Sequence, residues 1–89
     1  MLRGSQTVAE AIGNTPLIRL NRLTQGLPDS VEVYAKAEWM NPGGSVKDRA
    51  ARGIVLDALE KGQLAAGGVL LDASSGNTGI AYAMLAPAL

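Results

Sequence analysis

The stretch that decides the fold is VEVYAKAEWMNPGGSVKDRAARGIVLDALEKG, residues 31–62 of an 89-residue chain. Apolar and polar residues alternate over 31–37, which predicts a half-buried strand. The run Asn-Pro-Gly-Gly at 41–44 continues neither the strand nor the helix period, so it predicts a loop. Apolar residues then recur at helical spacing from Ser45 to about Lys61. Strand, loop and helix in this order form the repeating unit of open α/β sheets.

The helix is predicted to have defined ends and one apolar face. Ser45 and Asp48 have the spacing of a capping box at its start, and Gly62 stands where a glycine C-cap is favoured. The apolar residues three and four positions apart predict a buried stripe along the helix. That stripe is expected to consist of Val46, Ala50, Ile54, Val55, Ala58 and Leu59.

The sequence before this unit predicts one short turn and one strand. Thr7 and Glu10 have capping-box spacing and predict a capped helical turn. Gly-Asn-Thr-Pro at 13–16 ends that turn, because glycine and proline favour breaks in regular structure. Residues 17–20 are a short strand candidate.

The sequence after this unit repeats the order strand, loop, helix. Residues 69–73 are apolar almost throughout, which is typical of a buried parallel strand. Residues 74–79 form a loop of small polar residues, and a helix is expected from Ile80 until Pro87 interrupts it. The chain is therefore predicted to be α/β with an open sheet. Its sheet edges and helix faces lack covers, so we expect it to be part of a larger fold.

Composition excludes several function classes. Eight basic and eight acidic residues cancel, which leaves no electrostatic footprint for nucleic acid. No run approaches the ~20 apolar residues of a membrane span, and residues 1–10 lack the apolar core of a signal peptide. We therefore expect a cytoplasmic protein that binds neither membrane nor nucleic acid. Without cysteine or histidine, no metal site is expected, and acid–base chemistry must come from lysine, carboxylates, tyrosine or a cofactor.

Two loops carry groups that could take part in binding or catalysis. The loop 74–79 brings hydroxyls, glycines and backbone N–H groups to a helix N-terminus, which suits a carboxylate or a phosphate. A well-capped turn would use the same residue types. Lys47 lies in the first turn of the other helix, where the dipole helps to keep its amine neutral, as Schiff-base chemistry requires. The alternative is a surface lysine paired with Asp48 or Asp57. Glu38 and Arg49 are interpreted as structural.

The combination is more informative than either loop. A lysine-bearing helix, one strand and an asparagine-bearing loop predict two helix N-termini at one edge of the sheet. One N-terminus could hold an aldehyde cofactor covalently, while the other holds a substrate carboxylate.

Three motifs occur together in this order: Ile-Gly-Asn-Thr-Pro-Leu at 12–17, Asn-Pro-Gly-Gly-Ser-Val-Lys-Asp-Arg at 41–49 and Ser-Gly-Asn-Thr-Gly at 75–79. From about residue 7 to residue 85 the chain resembles the cysteine synthase (O-acetylserine sulfhydrylase) family, which shares these motifs with cystathionine β-synthase. The resemblance implies a two-domain enzyme of pyridoxal phosphate with the tryptophan synthase β-like fold (fold type II), a homodimer when complete. Residues 1–40 would be strands packing on a larger domain, and 41–89 the beginning of the smaller one.

The resemblance also implies roles for individual residues. Lys47 matches the lysine that binds pyridoxal phosphate covalently and moves the substrate α-proton. Asn77 matches the asparagine that hydrogen-bonds the cofactor's ring hydroxyl. The implied reaction replaces the β-substituent of an activated serine, such as O-acetylserine, by sulfide to give cysteine. The residues implied to bind the substrate carboxylate are Ser74, Ser75, Gly76 and Thr78.

The chain departs from the family pattern in three places. Ser74 stands where threonine is usual, and Asp72 where glutamate is common. The family's loop for the cofactor phosphate would lie beyond residue 89, so we expect this chain to be inactive alone. Cystathionine β-synthase chemistry, a non-catalytic partner-binding module and a small anion-binding protein remain as alternatives.

Overall fold

The computed structural model describes residues 7–89 as a small two-stranded sheet and a pair of packed helices. The first six residues of the predicted 1–40 segment lie outside this range. None of the helices within residues 7–89 has the length and apolarity needed to cross a bilayer. In chain order the elements are β1 (Leu17–Arg19), β2 (Tyr34–Lys36), a 3-10 turn (Glu38–Met40), α1 (Lys47–Glu60) and α2 (Asn77–Ala88).

Both strands predicted upstream of the lysine loop are confirmed, although each is shorter than expected. β1 and β2 pair antiparallel, with Ile18 opposite Ala35. The backbone N–H of Ala37 extends the ladder by donating to the Pro16 carbonyl at 2.9 Å. The ladder thus ends at the break after the N-terminal turn and leads β2 directly into the 3-10 turn.

The N-terminal turn is closed by the predicted capping box. The Thr7 N–H donates to Glu10 Oε2, and the Glu10 N–H donates to Thr7 Oγ1, both at 3.2 Å. The turn lies over the helix pair, and its apolar side joins their core. Buried residues of this core are Ala9, Ile12, Ala51, Val55, Ala81, Tyr82 and Leu85.

The start of α1 differs from the predicted capping box. The helix begins one residue later than expected, so Val46 is the N-cap and Ser45 precedes it. The Ser45 hydroxyl still accepts a hydrogen bond from the Lys47 N–H at 3.1 Å. Asp48 does not reach back to Ser45 and instead accepts from the Gly43 N–H. The late start places Asp48 at the second helical position, whereas a capping box needs the third.

The apolar stripe predicted for α1 is only partly buried. Val55 belongs to the core and Leu59 packs against it. Val46 and Ile54 are about half exposed, and Asp48 and Ala51 occupy the buried side instead. The prediction was wrong for Val46, Ala50 and Ile54, which are exposed, because α1 packs on α2 along one narrow stripe. Nothing within residues 7–89 covers the adjoining apolar row.

The strand predicted over 69–73 is absent from the structure. This segment is not in regular secondary structure, and Val69 and Leu71 are 88% and 94% exposed. The prediction was wrong because a strand needs a neighbour for its N–H and C=O groups. β1 and β2 pair with each other, and the described residues offer no further strand.

The end of α1 follows the predicted glycine cap. Gly62 has φ of +73°. Its N–H donates to the Leu59 carbonyl at 3.2 Å, and the Gln63 N–H donates to the Ala58 carbonyl at 2.9 Å. This pair of hydrogen bonds is the Schellman motif, which stops the helix with its last carbonyls satisfied.

The second helix is longer than predicted at both ends. α2 begins at Asn77 instead of Ile80 and passes through Pro87 to Ala88. Proline is tolerated there because only one residue of helix follows it. Pro87 removes one hydrogen bond of the ladder, but a bend at this position displaces almost none of the helix.

Replacing Gly62 by Ala tests the glycine cap. We expect a loss of about 1 kcal/mol in the free energy of unfolding, because a Cβ disfavours the left-handed conformation. The matched control is Gly53→Ala in the interior of α1, where an added Cβ meets no atom within 4 Å. That change should stabilise by roughly 0.5–1 kcal/mol. Urea unfolding checks both, and equal effects of the two substitutions would contradict the assignment.

Candidate functional site

The loop that carries Lys47 is held in place by the side chain of Asn41. This amide is buried, and its Oδ1 accepts a hydrogen bond from the Gly13 N–H at 2.8 Å. Its Nδ2 donates to Glu38 Oε2 at 2.7 Å and to the Ser45 carbonyl at 3.2 Å. One side chain thereby ties the first sequence motif, the 3-10 turn and the lysine loop together.

An ion pair lies beside this amide. Arg49 Nε donates to Glu38 Oε1 at 2.7 Å. Thr15 is buried between them; its hydroxyl donates to Glu38 Oε2 at 3.3 Å and accepts from Arg49 Nη2 at 3.2 Å. The structural interpretation of Glu38 and Arg49 fits these contacts. Sequence reasoning did not identify Thr15 and Asn41 as their partners, although both lie inside the motifs.

The pKa of Glu38 is lowered from its ordinary value of 4.5. The hydrogen bond from Arg49 is the largest cause, and Asn41, the charge of Arg49 and Thr15 act in the same direction against the effect of desolvation. The folded chain thus favours the carboxylate.

Arg52 connects α1 to the N-terminal turn, since its Nη1 donates to the Ala9 and Ile12 carbonyls at 3.0 and 3.1 Å.

Lys47 is the first residue of α1, and its side chain is exposed. Its amine makes no ion pair or hydrogen bond with residues 7–89. The alternative pairing predicted for it is wrong on both counts. The Asp48 carboxylate is buried against Gly43, and Asp57 forms its ion pair with Lys61 at 3.0 Å. The Lys47 amine is therefore accessible to a reactant from solvent.

The loop 74–79 is exposed over most of its length and is shaped by one hydroxyl. Ser74 Oγ accepts from the N–H groups of Gly76 at 3.0 Å and Gly79 at 2.9 Å. The N–H groups of Asn77 and Thr78, in the first turn of α2, have no acceptor within the helix. They remain at the positive end of the helix dipole, where an anion is favoured.

The segment before this loop is fastened to α2. Asp72 Oδ1 accepts from the Ala73 N–H at 2.8 Å, and Asp72 Oδ2 accepts from the Tyr82 hydroxyl at 2.9 Å. This hydrogen bond, then burial and the nearby negative charge, raise the pKa of Tyr82 above 10.0. Asp72 thus bonds the following residue, and Tyr82 packs in the core.

The two loops stand at the beginnings of two helices that pack on each other. Lys47 starts α1 and Asn77 starts α2, with the core between the helices. Within residues 7–89, no hydrogen bond joins Lys47 to the 74–79 loop. The shared sheet edge expected for them does not form, because 69–73 is not a strand.

Comparison with known proteins identifies the family. Residues 8–89 match the family described as "Pyridoxal-phosphate dependent enzyme". The chain belongs to this family. It is 50% identical over 88 residues to cysteine synthase of Aquifex aeolicus, covering 98% of this chain and 27% of that protein. It is 51% identical over 79 residues to the O-acetylserine dependent cystathionine beta-synthase of Bacillus subtilis, covering 89% of this chain and 25% of that protein.

A solved structure confirms the predicted fold class. The crystal structure of cysteine synthase from Entamoeba histolytica matches with a TM-score of 0.83 at 35% identity. The match covers 94% of this chain and 26% of that one. The chain thus has the α/β fold of the N-terminal part of these pyridoxal-phosphate enzymes and spans about a quarter of their length.

The described residues fit a pyridoxal phosphate cofactor in their donor chemistry. An aldehyde needs an accessible primary amine, which the exposed side chain of Lys47 supplies. Polar groups of the cofactor or substrate need hydrogen-bond donors, and the first turn of α2 has N–H groups without an acceptor inside the helix.

The Glu38 carboxylate makes stability depend on pH. Because its folded pKa lies below 4.5, its contribution is complete above that value and is lost as pH falls through the folded pKa. We expect Glu38→Gln to flatten the fall in unfolding free energy on the acid side of pH 4.5. Glu60→Gln, at the exposed end of α1, is the matched control and should keep the wild-type slope. Urea unfolding at several pH values measures this, and an unchanged slope in Glu38→Gln would refute it.

Proposed function

We propose that this chain serves a pyridoxal-phosphate-dependent cysteine synthase. The reaction replaces the β-substituent of an activated serine, such as O-acetylserine, by sulfide. The observation that carries the proposal is Lys47: an exposed amine without an ion pair within residues 7–89, at the head of a helix whose loop is fixed by buried hydrogen bonds. The similarity to cysteine synthases over nearly the whole chain supplies the reaction class.

Lys47 has two tasks in this proposal. Its Nζ would hold the cofactor aldehyde, and in the presence of substrate the amine would take the proton from the substrate Cα. Pyridoxal phosphate, when bound, supplies the electron sink for breaking the Cα–H bond. The same amine would return a proton to Cα once sulfide has added to the β-carbon.

The loop 74–79 orients the cofactor and the substrate relative to the Lys47 amine. Asn77 donates from its side chain to the cofactor's ring hydroxyl. The substrate carboxylate would lie against the positive end of α2, within reach of the Ser75 and Thr78 hydroxyls, while Gly76 shapes the turn before the helix. Ser74 contributes through its hydroxyl, which also holds the loop in shape through Gly76 and Gly79.

The wider assignments belong to the same proposal. The active protein is a cytoplasmic homodimer that uses an amino-acid substrate and sulfide. Residues 1–40 serve a larger domain and residues 41–89 begin the smaller one.

A second candidate is O-acetylserine-dependent cystathionine β-synthase chemistry. It is favoured by the B. subtilis relative, whose identity equals that of the A. aeolicus cysteine synthase within one per cent. The acceptor separates the two candidates, since one uses sulfide and the other uses the thiol of homocysteine. Assays of the same preparation with each acceptor decide between them.

Lys47 is tested by labelling with pyridoxal phosphate, reduction with borohydride and peptide mapping. The chain is studied alone and joined to the C-terminal part of the A. aeolicus enzyme in place of the equivalent residues. We expect selective labelling of Lys47 in the joined protein. Lys47→Ala should abolish that label and lower the turnover number by at least ~100-fold, the usual contribution of a general base.

The matched control is Lys61→Ala, which removes a lysine at the other end of α1 and should leave both readouts unchanged. Labelling spread evenly over Lys36, Lys47 and Lys61, or absent altogether, would refute the assignment. It would then favour the non-catalytic, partner-binding module.

A further inference from the structure

We infer that Asp48 is a positioning residue, whose buried carboxylate holds Gly43 and thereby sets the turn that presents Lys47. The inference rests on the proposed function in one respect: it takes Lys47 as the amine that reacts with the cofactor. Asp48 itself contacts no reactant in this inference, because its side chain is completely buried.

The contact that carries the inference is short and enclosed. Asp48 Oδ2 accepts from the Gly43 N–H at 2.6 Å, a distance typical of a strong, charge-assisted hydrogen bond. Asp48 has 0% exposure and lies in the first turn of α1, where the helix dipole favours a negative charge. Water therefore does not compete for this hydrogen bond.

The second carboxylate oxygen argues against a purely stabilising role. Asp48 Oδ1 is buried and has no hydrogen-bond partner among the residues that the structure describes. A buried oxygen without a partner is unfavourable, and buried polar groups are nearly always paired. An apolar side chain at this position would avoid that cost. The carboxylate provides a fixed acceptor for the Gly43 N–H, which an apolar side chain could not provide.

The two glycines of the loop have different reasons to be glycine. A Cβ on Gly43 would lie 2.2 Å from Asp48 Oδ1, so the close approach of the carboxylate excludes a side chain. A Cβ on Gly44 would meet nothing within 4 Å, but its φ is +88°, so the backbone conformation requires glycine. Gly43 and Asp48 are thus a matched pair, each of which makes room for the other.

The hydrogen bond closes a ring of six residues around Lys47. The turn leaves Gly43, passes Ser45 and Lys47, and returns to Gly43 through Asp48. Inside the ring, the Lys47 N–H donates to Ser45 Oγ at 3.1 Å. The Lys47 backbone is therefore fixed on both sides. A misplacement of about 1 Å in a reacting group costs as much as ~100-fold in rate, so such bracing matters for an amine that must meet a carbonyl carbon.

The test compares four variants and a control in the full chain. Asp48→Ala removes the acceptor, and Asp48→Asn removes the charge but keeps an acceptor oxygen. Gly43→Ala displaces the carboxylate, and the double variant Gly43→Ala/Asp48→Ala removes both partners. Asp57→Asn is the matched control, because it changes an exposed aspartate of the same helix.

Three quantities are measured: hydrogen exchange at the amides of 43–47 without cofactor, the thermal midpoint, and the rate at which pyridoxal phosphate labels Lys47 before borohydride quenching. In Asp48→Ala and Gly43→Ala we expect exchange at residue 43 to rise at least tenfold and labelling of Lys47 to slow at least tenfold at equal folded fraction. The Asp57→Asn control should match wild type. Asp48→Asn should stay within about threefold, since the hydrogen bond is retained.

The double variant should resemble either single variant, because residues that act through one contact are not additive. Unchanged exchange in Asp48→Ala, a defect in Asp48→Asn as large as in Asp48→Ala, or additive defects in the double variant would each overturn the inference. If Asp48→Ala does not fold, Gly43→Ala and Asp48→Asn decide by the same criteria. If the wild-type chain shows no labelling at Lys47, the labelling comparison is made in the joined protein; if that is not labelled either, the proposed function fails, and the exchange data alone decide on the Gly43–Asp48 lock.

Discussion

The buried amide of Asn41 is the constraint on which the rest of the structure depends. It follows the 3-10 turn, receives the N–H of Gly13 and reaches the Ser45 carbonyl, so three separate pieces of chain share one side chain. An amide suits this position because it offers two donors and an acceptor at once. A buried amide left with unpaired atoms would be costly, so these partners specify one loop conformation with little tolerance for others. The lysine helix begins in a defined place because this amide is satisfied.

The apolar core and the hydrogen-bonded polar residues stabilise different parts of the structure. The core joins α1, α2 and the N-terminal turn through small and medium side chains. The framework of Thr15, Glu38, Asn41 and Arg49 lies outside that core and connects the strands to the lysine loop. Packing alone would hold the helices together but would leave the loop free. The hydrogen bonds supply direction, which dispersion forces lack.

Local features were predictable from sequence, and features that depend on distant partners were not. The Thr7 capping box, the Gly62 cap and the existence of the two short strands follow from neighbouring residues and formed as expected. The strand over 69–73 depends on a neighbouring strand that residues 7–89 do not provide. Lys47 and Asn77 could be singled out from their motifs and helix starts. The burial of Asp48 could not, because its partner Gly43 is recognisable only once the loop has folded over the helix.

The exposed apolar residues of 69–73 affect how readily the newly made chain self-associates. Val69 and Leu71 would emerge from a ribosome before any later residues could shield them, and a short apolar segment with strand propensity is prone to self-association. Asp72 interrupts that segment with a charge, and a glycine pair precedes it. Charges and strand breakers beside such a run oppose intermolecular pairing. In the folded chain the Tyr82 hydroxyl donates to Asp72, which keeps this charge beside the exposed apolar residues.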